Sequence, residues 1–122
     1  MKISLIGMGR VGSALAYTIL LRGLADELVL VDRTQDIALG EALDLQHAEA
    51  FTDHQMEIIG GTIEDTVGSD IIVVTSSVPW NSKYNSRFDI GRDNYKLFKE
   101  LIPPLAKRSP DAILLIITTR LM

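Results

Sequence analysis

The sequence predicts an α/β fold: a parallel sheet of about five strands, order 3-2-1-4-5, with helices on both faces. Three observations carry this. Short apolar runs such as Leu28-Val29-Leu30-Val31 and Ile71-Ile72-Val73-Val74 have the length and composition of strands buried on both sides. Longer stretches of helical period separate them, so successive strands run parallel and are joined by crossovers. A glycine-rich turn follows the first strand, and right-handed crossovers from that central strand yield the stated order.

Each element follows from local chemistry. Ile3 to Ile6 is the first strand. Val11 to Leu21 is a helix that Arg22-Gly23 ends, because glycine takes the left-handed conformation that terminates helices. Leu28 to Val31 is the second strand. Asp36 is an N-cap for a second helix reaching about Ala50, with Ala38, Leu39, Ala42, Leu43 and Leu45 as a broad apolar stripe. Met56 to Gly60 is the third strand, Glu64 to Ser69 a linker or helical turn, and Ile71 to Val74 the fourth strand. Ser76 to Ser86 is polar and reads as a loop of functional length. Asp89 to Lys107 is helical, with Ile90, Leu97, Phe98, Leu101, Ile102 and Leu105 on one face. Pro103-Pro104 is expected to kink or restart that helix, since neither residue donates a backbone hydrogen bond. Ser109-Pro110-Asp111 is a turn, and Ala112 to Thr118 is the fifth strand.

The turn after the first strand reads Gly7-Met8-Gly9-Arg10-Val11-Gly12. Gly7 lets the chain bend tightly off the strand, Gly9 lets a pyrophosphate approach the backbone, and Gly12 lets the helix lie close to the sheet. The helix that follows presents free N–H groups and its positive dipole end to phosphates. Asp32 closes the second strand, where a carboxylate accepts hydrogen bonds from a ribose diol. Strand, glycine turn, helix and acidic strand end together point to dinucleotide binding in a Rossmann-type sheet. A purely structural glycine turn is the alternative. Asp32 favours NAD over NADP, since a carboxylate repels a 2′-phosphate. Arg33 beside it reads as a solvated arginine at a strand end.

Composition narrows the partners. The chain has 122 residues, 47% hydrophobic and 23% charged, enough for one domain with a real core. No repeat, low-complexity segment or linker divides it, so residues 1–122 form one dinucleotide-binding domain. A net charge of −4 gives no footprint for nucleic acid, and no basic amphipathic stretch suggests a membrane surface. The absence of cysteine excludes disulfides and thiolate chemistry and fits a cytoplasmic protein. His47 and His54 do not form a metal-ligand pair, so no metal is expected. The amino-terminal segment mimics a secretory signal ending at Ala14-Leu15-Ala16, but Arg10 and three glycines interrupt what should be a continuous apolar core. No apolar run approaches the ~18 residues of a membrane span.

With these residues in view, almost all of the chain resembles the amino-terminal half of the malate and lactate dehydrogenase family. Three features beyond the glycines carry the resemblance. Asp44-Leu45-Gln46-His47-Ala48 is similar to the family's Asp-Leu-x-His-Ala. Val73-Val74-Thr75 closes the fourth strand ahead of a loop with Pro79 and Arg87. Arg87-Phe88-Asp89-Ile90 with a later Asn94 is similar to the family's Arg-x-Asp-Leu and following asparagine. The resemblance implies that Gly7 to Gly12, including Met8, Arg10 and Val11, hold the pyrophosphate of NAD and that Asp32 holds the adenosine ribose. It implies that Thr75, Ser76 and Ser77 line the cofactor cleft and that Asn94 contacts the cofactor. It also implies that Arg87 reaches a substrate carboxylate from a mobile loop, as a guanidinium fork suits. Read from the residues alone, the alternatives are a surface arginine for Arg87 and a polar residue on an exposed helix face for Asn94, while His47 reads as a structural helix residue rather than a catalyst.

The chain departs from the family at four places. It has Thr75-Ser76-Ser77 where the family has Thr-Ala-Gly, and Trp80 where an arginine follows the loop proline; Lys83 is a speculative stand-in for that arginine. The loop from Pro79 to Arg87 is one residue longer. Thr118-Thr119-Arg120 stands where the family continues with Asn-Pro. The family's proton-transferring histidine, its aspartate partner and a further substrate arginine fall in the second half, which this chain lacks, so no residue here is assigned a catalytic role. The expected function is the NAD-binding part of a dehydrogenase for 2-hydroxy and 2-oxo acids, whose small-molecule substrate is met in a full-length parent. The alternative is a non-catalytic module that binds NAD or ADP-ribose without turnover. The fifth strand, with its apolar residues Ile113 to Ile117, is expected to lack the sixth strand that pairs beside it in the family, and its open edge to drive dimerisation or aggregation, making the protein a homo-oligomer.

Overall fold

The computed structural model describes residues 1–76 and 87–117, apart from the side chains of Arg87 and Phe88. Strand β1 (Lys2–Ile6) is central, because it pairs in parallel with both β2 (Glu27–Val31) and β4 (Ile71–Val74). Strand β3 (Glu57–Gly61) lies outside β2, and β5 (Ile113–Ile116) outside β4, in the order β3-β2-β1-β4-β5. The register is what positions the site. Ile6 stands opposite Val31 on one side and Val74 on the other, so three strands end level. Whatever follows those residues converges at one edge of the sheet.

Period-two alternation sends apolar side chains to both faces. Leu5, Leu28 and Leu30 meet α1 (Arg10–Arg22) and α2 (Gln35–Glu49) through Ala16, Leu20, Ala42 and Leu45. Ile6, Val29, Ile72 and Val74 meet Leu105 of α3 (Arg87–Arg108), with Phe98, Leu101 and Ile102 packed against them. Helices therefore cover both faces, as the alternating pattern predicts. A short 3₁₀ turn, Ile63–Thr66, occupies the stretch between β3 and β4. At the opposite end of the sheet from the converging strand ends, Ser4 Oγ lies 2.6 Å from Ser69 Oγ, and the Ser69 and Ser109 hydroxyls both donate to the Thr66 carbonyl. These buried hydroxyls tie β1, the 3₁₀ turn and the end of α3 together without leaving a polar group unpaired.

Local signals account for the helix ends. Gly23 closes α1 with φ 60° and ψ 41°, and the N–H groups of Gly23 and Leu24 return to the carbonyls of Leu20 and Ile19. The His54 ring fills the space a side chain at position 23 would need. The α2 boundary differs from expectation. Thr34 is the N-cap, and Asp36 sits in the first turn, where its charge still complements the helix dipole. The α2 stripe is also narrower than the pattern suggests. Ala38, Ala42 and Leu45 are buried, whereas Leu39 and Leu43 are 47% and 52% exposed, because only the 38-42-45 line faces β2 and β3. Nor does α3 restart at Pro103-Pro104; it runs through them as one 22-residue helix. The two missing N–H groups leave the carbonyls of Lys99 and Glu100 without helical partners, and both residues are exposed to water. Strand β5 is shorter than Ala112 to Thr118; Thr118 lies outside the described residues, as do Pro79, Trp80 and Lys83 of the loop.

Two glycines test this packing in opposite directions. A Cβ on Gly60 would lie 2.6 Å from the Ala38 carbonyl oxygen, in the α2 backbone, whereas one on Gly40 would meet nothing within 4 Å. Gly60→Ala should cost about 1–3 kcal/mol by overpacking, and Gly40→Ala should add about 0.5–1 kcal/mol through helix propensity. Denaturant unfolding of the two variants measures both signs.

Candidate functional site

The level strand ends bring Gly7, Asp32 and Thr75 side by side. Gly7 turns the chain with φ 107°, and its N–H donates to the Val31 carbonyl at 2.7 Å. From the other flank, the Thr75 N–H donates to the Ile6 carbonyl at 2.8 Å. The Thr75 hydroxyl donates to the Gly7 carbonyl at 2.9 Å, and the Ser76 hydroxyl to the Ile6 carbonyl at 3.1 Å. Ser76 thus adds a second side-chain tether to the turn.

Gly9 is the N-cap of α1, and no side chain caps that helix. Its first turn holds no acidic residue, and Arg10 opens it. The leading N–H groups and the positive dipole end therefore remain available to an anion. Space at the Gly9 Cβ position is open. Gly12 serves the opposite need: a Cβ there would lie within bonding range of the Gly7 carbonyl oxygen, so the helix approaches the turn only with glycine at this position. A turn open on its outer side and closed on its inner side suits a pyrophosphate laid across the backbone.

Asp32 is half-buried, and each of its carboxylate oxygens takes a backbone donor. Oδ1 accepts from the Met8 N–H at 2.8 Å, and Oδ2 from the Thr34 N–H at 2.9 Å. A carboxylate has about four acceptor positions, so about two stay available for a diol. The turn and Asp32 line one cleft of about 940 Å³, together with Thr75, Ser76, the Thr62–Glu64 segment beyond β3, and Leu97, Leu101 and Arg108 of α3. Arg108 holds Glu64 at 3.3 Å, closing the far wall with an ion pair. Apolar surface from Ile37, Ile63, Leu97 and Leu101 gives this cleft a wall suited to a flat aromatic ring.

The structure sorts the expected residues clearly. Gly7, Met8, Gly9, Asp32, Thr75 and Ser76 share the cleft; Arg10 and Val11 are exposed on the first turn of α1, and Gly12 is buried beneath the turn. Ser77 lies outside the described residues. Arg87 opens α3, with its side chain undescribed. Asn94 is 2% exposed, so it is not a polar residue on an open helix face, and the cleft walls described here do not include it. Within the Asp44–Ala48 motif, Leu45 is buried and the Gln46 amide donates to the Ile58 carbonyl at 2.8 Å, which pins α2 to β3. Burial, reinforced by the carboxylates of Asp44 and Glu41, raises the Tyr17 phenol pKa in the groove between α1 and α2. His47 is exposed on α2, and the His54 ring nitrogen lies 3.2 Å from the Leu21 carbonyl at the end of α1; neither lines the cleft. Among the described residues no cluster of three potential metal ligands occurs, and no helix is long and apolar enough to cross a membrane. Sequence reasoning missed the segment after β3 and the α3 wall. Leu97 reads as core by its spacing but faces the cleft; the rule that ligands sit beyond the carboxyl ends of parallel strands was the available signal.

Comparison with known proteins follows the same lines. Residues 1–119 match the family model described as lactate/malate dehydrogenase, NAD binding domain. The chain is 44% identical to an L-lactate dehydrogenase of Zea mays over 117 residues, which are 96% of this chain and 33% of that protein. It is 39% identical to L-lactate dehydrogenase 1 of Clostridium acetobutylicum, covering 96% of this chain and 37% of the relative. Among solved structures, the malate dehydrogenase of Archaeoglobus fulgidus in complex with NADH superposes with a TM-score of 0.88 at 38% identity, covering 97% of this chain and 40% of that one. The chain thus spans about a third of the length of these relatives.

Proposed function

We propose a cofactor position and a reaction from one premise: this chain belongs to the lactate/malate dehydrogenase family, as its NAD-binding domain. In our reading the turn from Gly7 to Gly12 holds the NAD pyrophosphate, and Asp32 holds the diol of the adenosine ribose. The adenine lies between the segment after β3 and Leu97 and Leu101 of α3, while Thr75, Ser76 and Ser77 border the path toward the nicotinamide. Asn94 keeps the cofactor role and Arg87 the substrate-carboxylate role that the resemblance implies. One observation supports this above others: the uncapped α1 terminus and the Asp32 carboxylate sit on adjacent strand ends, bridged by the 2.8 Å bond from Met8 N–H.

For the full-length polypeptide we propose interconversion of a 2-hydroxy acid and a 2-oxo acid, with NAD supplying or accepting the hydride. That step needs a positioned acid to protonate the developing alkoxide. Within the described residues, His47 and His54 both stand away from the cleft. The 122-residue chain should therefore bind cofactor and leave the chemistry to residues elsewhere in a longer protein. A non-catalytic module that only holds NAD is the second reading, and it agrees about this chain but not about the longer one. A cytoplasmic location is supported by a sequence free of cysteine.

Among the described residues β5 is an outer strand of the sheet, which supports a homo-oligomer. Ile113, Leu115 and Ile117 are 61%, 46% and 46% exposed and lie on the face that α1 and α2 cover elsewhere. An apolar strand with free backbone groups pairs readily with a second copy of itself.

Two measurements test these proposals. Fluorescence titration should show NADH binding to the 122-residue chain, with NADPH weaker by about tenfold or more. Adding oxaloacetate or pyruvate should leave NADH absorbance unchanged. No NADH binding would remove the site, and turnover would overturn the argument from the absent acid. In size-exclusion chromatography at rising concentration, the chain should move toward a dimer and Leu115→Lys should stay monomeric. A monomer at every concentration would remove the β5 contact.

A further inference from the structure

We infer that Asp32 is a positioning residue for the phosphate turn as well as a ribose ligand, so that one side chain couples the two halves of the dinucleotide site. The inference deepens the NAD reading and rests on it. Met8 stands between two glycines, where the backbone has many accessible conformations. The Gly7 side of the turn is fixed by the bonds to Val31 and Thr75, and the Gly9 side by the start of α1, where Ser13 N–H donates to the Gly9 carbonyl at 2.9 Å. Between these anchors, the backbone donor of Met8 is held by Asp32 Oδ1, 24 residues distant. The other oxygen of the same carboxylate holds Thr34, the N-cap of α2. Charge-assisted bonds of this kind are shorter and stronger than neutral ones.

The carboxylate therefore selects the turn conformation in which Gly9, Arg10 and Val11 offer their N–H groups outward. A ribose diol uses the remaining acceptor positions and need not break either bond. Removing the carboxylate frees Met8 and lets a glycine-flanked turn sample other shapes, at the expense of a phosphate site that the side chain never touches.

Inorganic pyrophosphate separates this role from ribose binding, because it has no ribose. If Asp32 acted on the ribose alone, Asp32→Ala would leave pyrophosphate binding unchanged or strengthen it, since a negative charge near an anion is lost. The inference requires the opposite sign: Asp32→Ala weakens pyrophosphate binding by about two- to tenfold, the worth of one lost hydrogen bond. Asp32→Asn keeps one acceptor oxygen for the two N–H donors of Met8 and Thr34, so its pyrophosphate affinity falls by no more than that of Asp32→Ala while NADH affinity falls. Amide exchange in the ligand-free chain gives an independent readout. The Met8 amide should be protected in wild type and exchange about tenfold faster in Asp32→Ala, while Leu5 and Leu30 amides stay protected. An unprotected Met8 amide in wild type, or Asp32→Ala binding pyrophosphate as well as wild type, overturns the inference. If Asp32→Ala fails to fold, the wild-type Met8 amide still decides it. Loss of the NAD reading shows differently, as wild-type chain that binds neither pyrophosphate nor NADH yet protects Met8.

Discussion

The parallel register of β1 against β2 and β4 is the constraint on which the rest of the molecule depends. With Ile6 level with Val31 and Val74, the residues that leave the three strands become neighbours although they are far apart in sequence. A slip of one residue would turn Leu5 from the α1 side to the α3 side and would carry Gly7 away from Asp32 and Thr75. Burial enforces the register: Leu5, Leu28, Val29, Leu30, Ile72 and Val74 are fully buried, and a slip would exchange the faces they occupy. The site is thus a by-product of core packing, and burial of apolar side chains positions a polar turn.

Much of the fold was legible because its signals are local. Short apolar runs mark the strands, Gly23 marks a helix end, and Gly7, Gly9 and Gly12 announce a turn with distinct demands at each position. Asp32 was legible as the acid that closes the second strand. What was not legible depends on contacts between distant segments. Thr34 and Asp36 are both good capping types, and nothing between them says which one the helix adopts; the Asp32 carboxylate holding Thr34 N–H accompanies the choice. Leu39 and Leu43 satisfy helical spacing yet face outward, since the sheet offers α2 a contact only three residues wide per two turns. Ser4 looks like a polar interruption of a strand until Ser69 arrives beside it.

The candidate site divides in the same way. The glycine turn and Asp32 are adjacent to strong local motifs. The wall opposite them, from Thr62 to Glu64 and along α3, carries no motif, because an apolar surface for a flat ring is chemically indistinct from core. Leu97 illustrates this: its spacing fits a core stripe, and only the position of α3 over the strand ends turns it toward the cleft. A polar turn, an acceptor and an apolar wall meet at the ends of parallel strands, the arrangement on which the proposed cofactor position rests.

The most direct measurement is an amide chemical-shift map of the isotopically labelled chain during titration with NADH. The account predicts the largest changes at Met8 to Val11, at Asp32 to Thr34 and at Thr75, with Lys2, Glu27 and Asp70 at the other end of the sheet unmoved. Changes concentrated at that opposite end, or on the outer face of β5, would contradict it.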